Sequence, residues 1–207
     1  MISKLSSRVS LAPEAERPFP NKEILWGSQE GGQSLFPTTA AAYERKYSSD
    51  AVPLEKFCHA VANAQERVWM VDEYLLMPDR GNPVERIDKI LEWLPLWLDA
   101  SDIRLLTKPH QEISKDDLRR FYNHAMAINS HDVRRTKECR IEVRMHLTKD
   151  CDFVHDRFAI IDDELWHFGG TVGGFHSKVS ATSRGWRAED HGAIRFFEEI
   201  WDAGVRK

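Results

Sequence analysis

Residues 153–168 read FVHDRFAIIDDELWHF, and this stretch decides the fold. The continuous apolar run at 158–161 is typical of a strand that is buried on both faces. A tight turn at Asp163-Glu164 joins this run to the apolar segment Leu165–Phe168. The pattern therefore predicts a β-hairpin whose first strand is Phe153–Ile161 and whose second strand is that apolar segment.

Further strands are predicted to join the hairpin in one sheet. The short apolar run Val68–Val71 is typical of a central strand. Asp102–Thr107 is a second short strand, and a strand, helix, strand order of this length favours a parallel crossover. Arg140–Leu147 alternates apolar with polar residues, as a half-buried strand does. The sheet is therefore expected to be mixed.

Helices are predicted on both sides of these strands from apolar residues at spacings of three and four. The third predicted helix opens on Ser114 and Asp117, whose spacing resembles a capping box. The predicted helices are Leu54–Ala64, one beginning at Pro83 and ending near Pro95, one beginning after Ser114, and His191–Val205. The fold class is therefore predicted to be α/β, a mixed sheet flanked by helices.

Composition divides the chain into an arm and a domain. Residues 1–50 are rich in proline, glycine and serine, with only a short apolar island at Ile24–Trp26. We interpret them as an N-terminal arm or edge element, and residues 51–207 as the domain that holds the core.

The overall composition excludes several classes of protein. The 207 residues are 42% hydrophobic and 30% charged, with a formal net charge of -4, so neither a disordered chain nor a general polyanion binder is expected. No apolar run approaches the roughly 20 residues that a membrane-spanning helix needs, and no secretion signal is present, which predicts a cytoplasmic protein. Three cysteines without a CxxC pair predict reduced thiols, and no metal or cofactor is expected.

The first strand of the hairpin carries the chemistry. Residues two apart in a strand share a face, so His155 and Arg157 are expected to project together. A guanidinium offers a fixed fork of donors to phosphate oxygens, and an imidazole can act as nucleophile or proton carrier. Asp162 ends the strand, where its carboxylate could fix a histidine tautomer or pair with the arginine. These residues together predict a phosphoryl site.

Neighbouring residues are candidates for substrate binding. Gly169 and Gly170, followed by Thr171, would let backbone N–H groups approach an anion. His167 lies on the second strand and is a candidate for the same side as His155. Two basic residues follow the glycines, where they form either an anionic-ligand groove or a solvated charged loop: Lys178 and Arg184. Outside this region, two acidic residues follow the strand at 68–71: Asp72 and Glu73. Carboxylates at this position in open α/β sheets often meet ligands, but capping of the next turn is the commoner role.

The stretch from His155 resembles the signature of the phospholipase D superfamily, H-x-K-x4-D-x6-G-S-x-N. The histidine, the aspartate (Asp162) and the first glycine (Gly169) stand in matching register. Arg157 stands where the family has lysine. Gly170 and Val172 stand where it has serine and asparagine. The order of strands and helices from about residue 50 onward is also similar to one phospholipase D-like half domain.

The resemblance implies a mechanism and an assembly. The superfamily uses two histidines without a metal, one attacking phosphorus and the other protonating the leaving oxygen. Because this chain has one motif and no repeat, the resemblance implies a homodimer that shares a site between both copies of His155, with residues 153–176 of each chain at the two-fold interface.

Two functions are implied. The first is a phosphodiesterase, above all a metal-independent nuclease acting on nucleic acid or another phosphodiester polyanion. The alternative is a catalytically inactive phosphate- or polyanion-binding scaffold module of a larger protein assembly. The H-D-R form of the motif is similar to the phospholipase D-like domain at the C-terminus of MIT-domain proteins, which binds phosphoinositide, and to bacterial relatives.

Overall fold

The computed structural model describes residues 18–27, 31–47, 53–77, 83–131, 135–174 and 178–204. Within these ranges the chain forms seven strands and six α-helices. The strands are β1 (Glu23–Trp26), β2 (Arg67–Val71), β3 (Asp102–Leu106), β4 (Arg140–Arg144), β5 (Arg157–Ile161), β6 (Glu164–Phe168) and β7 (Ala181–Arg187). The helices are α1 (Thr39–Tyr47), α2 (Glu55–Ala62), α3 (Pro83–Glu92), α4 (Lys115–His131), α5 (Leu147–Asp150) and α6 (Ala193–Ala203).

All the strands form one mixed sheet in the order β1-β7-β6-β5-β2-β3-β4. β2, β3 and β4 are parallel to one another, whereas β5 runs antiparallel to both of its neighbours, β2 and β6. The predicted fold class and the predicted parallel pairing of β2 with β3 are confirmed. The prediction that Val68–Val71 forms the central strand is wrong, because β5 occupies the middle of the sheet and β2 lies beside it.

The sheet separates two apolar clusters. On one face, α2, α3 and α4 pack through residues such as Phe57, Ile90 and Phe121. On the other face, α6 packs through Phe197 and Trp201. Both faces of β2 and β5 are therefore covered, which explains their continuous apolar sequences. None of the helices in the described ranges is long and apolar enough to cross a membrane.

The hairpin is shorter than the sequence predicts. Its first strand begins at Arg157, and a turn and irregular backbone occupy 152–156. Arg157 pairs with Phe168, the last residue of β6, so the preceding residues have no partner on that side. On the other side, the pairing with β2 begins at Phe158. The prediction that a strand begins at Phe153 is wrong, and strand geometry does not require His155 and Arg157 to share a face.

The predicted helix cap is confirmed, and one predicted strand is shorter than expected. Ser114 and Asp117 form the expected capping box, with the Asp117 N–H donating to Ser114 Oγ and the Ser114 N–H donating to the Asp117 carboxylate. The predicted strand Arg140–Leu147 ends at Arg144, because Leu147 begins α5. At the other end of the sheet, β1 is an edge strand that pairs antiparallel with β7. The end of the last predicted helix, Val205, lies outside the described residues.

Candidate functional site

Asp72 joins three segments of the chain at the end of β2. Its carboxylate is fully buried and accepts the backbone N–H of Tyr74 at 2.8 Å and that of Val172 at 2.9 Å. The Arg157 Nε lies 3.5 Å from the same carboxylate. Asp72 therefore fixes the end of β2, the start of β5 and the loop after β6 relative to one another. Sequence reasoning weighed a ligand-binding role for Asp72 and favoured a capping role.

Burial raises the pKa of Asp72 to about 6. The hydrogen bonds from Tyr74 and Val172 and the charges of Arg157 and Arg86 act in the opposite direction, because each stabilises the carboxylate. At neutral pH the group is therefore ionised and attracts the arginine, and in mild acid it is protonated.

Two cations contact the ring of Tyr74 beside this carboxylate. The Arg157 guanidinium carbon lies 4.9 Å from the ring centroid, and the Lys108 Nζ lies 3.8 Å from it. Both side chains are partly exposed, at 20% for Arg157 and 22% for Lys108. Lys108 also lies 3.5 Å from the Glu73 carboxylate. The cluster is thus open to solvent on its cationic side.

Two polar atoms of this region are buried without a hydrogen-bond partner among the described residues: Arg157 Nε and Thr107 Oγ1. The register of β2 and β3 pairs Val71 with Leu106, which places Thr107 beside Asp72. The Arg157–Asp72 distance allows electrostatic attraction, but the pair does not form a hydrogen bond. An unpaired buried polar group costs about 1–3 kcal/mol, and such groups occur where water or a ligand satisfies them. We name Arg157, Lys108, Tyr74, Thr107 and Asp72 the Arg157 cluster.

The glycine loop is held by backbone hydrogen bonds. The Gly169 N–H donates to the Ala181 carbonyl at 2.8 Å, and the Gly174 N–H donates to the Thr171 carbonyl at 3.0 Å. Thr171 itself is buried. These N–H groups are already satisfied, so the prediction that this loop presents them to an anion is wrong for Gly169.

The glycines after Thr171 serve packing. Gly173 has φ +81 and lies against Trp93, where an added Cβ would come within 2.5 Å of the indole. Val172 stands where the phospholipase D signature has asparagine, and its N–H donates a hydrogen bond to the Asp72 carboxylate. Gly170, which stands where the phospholipase D signature has serine, is half-buried. The loop therefore contributes to the Arg157 cluster through its attachment to Asp72.

Asp162 has a structural role at the far end of β5. It adopts a positive φ of 54 in the hairpin turn, and its carboxylate accepts the N–H groups of Gln65, Glu66 and Arg67. Arg157 is the first residue of β5, whereas Asp162 follows its last residue. The prediction that Asp162 pairs with the arginine or orients His155 is therefore wrong. Its carboxylate instead anchors the chain entering β2.

His155 and His167 line one cavity of about 420 Å³ between β5, β6 and the start of α6, which we name the histidine cavity. His167 Nε2 lies 3.5 Å from the Asp156 carboxylate. Arg157 is not among the lining residues, and its guanidinium lies at Asp72. The structure therefore brings the two predicted histidines together, but not with the predicted cation. A third histidine, His191, also lines the cavity, and no sequence pattern connects it to the others.

The two basic candidates after the glycines lie elsewhere. Arg184 is partly buried and donates two hydrogen bonds to the Glu164 carboxylate, at 2.8 and 3.0 Å. Its guanidinium also lies 4.3 Å from the Trp166 ring centroid. Lys178 is exposed and lies beside Tyr43 of α1. Arg184 therefore stabilises the sheet, and the prediction that it binds substrate is wrong.

Comparison with known proteins adds little to this geometry. No family model matches the chain, and no curated protein is similar to it in sequence. Among solved structures, the chain is similar to TrmBL2, an archaeal chromatin protein whose structure shows a novel mode of DNA binding, with 11% identity and a TM-score of 0.40. The match covers 92% of this chain and 55% of that one. Similarity at this level identifies neither a shared fold nor a shared function.

Proposed function

We propose that this chain is a phosphate-binding module that recognises the backbone of a nucleic acid without cleaving it. The observation that carries the proposal is the Arg157 cluster, in which two partly exposed cations contact one tyrosine ring. Within the described residues, Arg157 Nε is ion-paired with Asp72 without a hydrogen bond, and Thr107 Oγ1 is buried without a hydrogen-bond partner. Arginine and lysine are the side chains that proteins use for phosphate, and arginine adds a planar fork of donors.

The position of the cluster supports this function. Asp72, Tyr74, Thr107 and Lys108 follow the carboxyl ends of the parallel strands β2 and β3. Ligands of open α/β sheets bind in this region. Asp72 is fully buried, so it orients Arg157 without meeting the ligand. A bound phosphate would replace Glu73 as the anionic partner of Lys108. It would also accept hydrogen bonds from the exposed part of the Arg157 guanidinium.

Cleavage has less support. The mechanism that the resemblance implies needs a histidine and a cation at the same phosphate group, the histidine at phosphorus and the cation at its oxygens. His155 lines the histidine cavity, however, while the Arg157 guanidinium is held by Asp72. The hydroxyl and amide that the family uses are replaced by Gly170 and Val172. Asp162 is engaged with backbone N–H groups at the far end of β5. Binding alone is therefore the better-supported function.

Replacing Arg157 by alanine is expected to weaken binding of a short single-stranded DNA about tenfold, because one charge-assisted phosphate contact is lost. Arg157→Lys, which installs the family residue, is expected to retain most of the affinity. Fluorescence anisotropy at two salt concentrations measures both. The matched control is Arg195→Ala, which removes the same charge from an exposed position on α6. Equal affinities of wild type and Arg157→Ala would contradict the proposal, as would binding to anionic vesicles but not to DNA.

Hydrolysis of bis-p-nitrophenyl phosphate in the presence of chelator is expected to stay at the buffer rate. The same assay on single-stranded DNA, followed by gel electrophoresis, is expected to show intact substrate. Turnover that is lost in His155→Ala would overturn the noncatalytic proposal and favour a metal-independent nuclease.

The homodimer stays a prediction. The prediction rests on one histidine motif per chain, whereas the cavity brings His155, His167 and His191 together within one chain. A second chain is therefore not needed to assemble two imidazoles. The predicted two-fold interface is residues 153–176, of which 175–176 lie outside the described ranges. Light scattering is expected to show a dimer if this interface forms. A monomer that binds DNA would contradict the prediction of a site shared between two chains.

A further inference from the structure

The histidine cavity is a second concave feature with its own chemistry. Its floor is formed by Phe158 of β5 and by Leu165 and His167 of β6. One wall is the irregular segment 153–156, and the other is the start of α6 from His191 to Phe196. The volume of about 420 Å³ lies in the range of small-molecule sites.

Aromatic rings dominate the apolar part of the lining. Phe158 and Phe196 have ring centroids 6.2 Å apart and planes tilted by 42°. Phe196 is 38% exposed, and Phe153 at the rim is 70% exposed. Large rings held at a cavity without cover provide surfaces on which a flat ligand can stack.

The polar part of the lining offers both donors and acceptors. A neutral imidazole presents one N–H donor and one nitrogen acceptor, and three imidazoles line the cavity: His155, His167 and His191. The Asp156 carboxylate adds acceptors and lies 3.5 Å from His167 Nε2. A ligand with a mixed hydrogen-bonding edge would satisfy such a set.

Other classes of ligand fit less well. A hydrocarbon would cover four polar side chains without pairing them, which is unfavourable. A multiply charged anion would meet the Asp156 carboxylate. No group of three or more His, Cys, Asp or Glu side chains in the described part of the chain is placed to hold a metal ion. A neutral, flat heterocycle with donors and acceptors on its edge meets none of these objections.

We propose that the histidine cavity binds a nucleobase, stacked on the phenylalanine rings and read along its edge by the imidazoles. This site is distinct from the Arg157 cluster, whose arginine does not line the cavity. The proposal does not depend on phosphate binding, because a nucleoside without phosphate is expected to occupy the cavity.

Adenosine and uridine are the probes, titrated into the ¹⁵N-labelled full chain by NMR, with ribose and toluene as ligands that lack the base and the polar edge. Phe196→Ala is expected to raise the Kd of the nucleosides about tenfold, because a stacking surface is lost. His167→Ala is expected to raise it about threefold, because an edge contact is lost. Ala193→Trp, which fills the cavity, is expected to abolish binding.

The matched control is His131→Ala, which removes an exposed imidazole at the end of α4 and is expected to leave the Kd unchanged. Phe196 is partly exposed, so its replacement keeps the test valid if the tryptophan variant does not fold. Absence of nucleoside binding to the folded wild type at about 10 mM would overturn the proposal. So would toluene binding as tightly as the nucleosides, or unchanged affinity in Phe196→Ala.

Discussion

Replacing Glu164 by alanine is expected to lower the free energy of unfolding by about 3–5 kcal/mol, measured by urea denaturation. The Glu164 carboxylate is buried, forms both hydrogen bonds to the Arg184 guanidinium and also accepts the Gly185 N–H at 3.1 Å. Alanine would leave the partly buried guanidinium over the Trp166 ring, where Glu23, at 3.6 Å, is the one other carboxylate among the described residues that is placed to compensate its charge.

The neighbouring residue provides the control. Asp163 forms an ion pair with Arg187 at 2.9 Å, but both side chains are substantially exposed, so Asp163→Ala is expected to cost at most about 1 kcal/mol. Glu164→Gln retains a hydrogen-bond acceptor and should fall between the two. Similar losses for Asp163→Ala and Glu164→Ala would show that burial of the Glu164–Arg184 pair does not determine its contribution.

This ion pair illustrates why the sequence misassigned Arg184. A basic residue in a polar stretch after a glycine loop has the same local pattern whether it faces a ligand or a buried carboxylate. Glu164 precedes it by 20 residues, and the pairing of β6 with β7 brings the two together. Only the register of that pairing distinguishes the two roles, and register is a property of the sheet.

Local patterns predicted much of the fold. The apolar runs, the Ser114 and Asp117 cap and the parallel crossover depend on residues close in sequence, and the structure confirms them. The start of β5 depends on its partners instead. Phe168 ends β6 opposite Arg157, so the strand cannot gain a partner there before that residue, whatever the local propensity of 153–156.

The predicted site differs from the observed one because the observed site depends on contacts between residues that are distant in sequence. The motif predicted Arg157 as a site residue, but the environment of Arg157 is set by Asp72, whose carboxylate also accepts the Val172 N–H from 100 positions away. His191 reaches the histidine cavity because α6 packs on the sheet face that carries Phe158. Neither contact leaves a pattern in the local sequence, so neither was predicted.

Asp72 is expected to make the stability of the protein fall as pH rises from 4 to 7. Burial raises its pKa to about 6 in the folded chain, against an ordinary value of 3.8. Between these values the folded chain holds a proton that the unfolded chain has released, so protonation stabilises the folded state. The stabilisation is complete well below pH 3.8 and is lost as pH rises through about 6. The free energy of unfolding falls by about 3 kcal/mol over this full range.

The Asp72→Asn variant isolates this contribution, because its side chain has nearly the same shape and does not titrate. Urea denaturation of both proteins at several pH values is expected to show the wild type losing about 2 kcal/mol relative to the variant between pH 4 and 7. All other carboxylates are shared, so their contributions cancel in the difference. Parallel stability profiles would mean that Arg157 and the two backbone N–H groups fully offset the burial of the carboxylate. In that case Asp72 would keep its ordinary pKa of 3.8 and would be ionised above about pH 5, so the orientation of the Arg157 guanidinium toward a ligand would not depend on pH near neutrality.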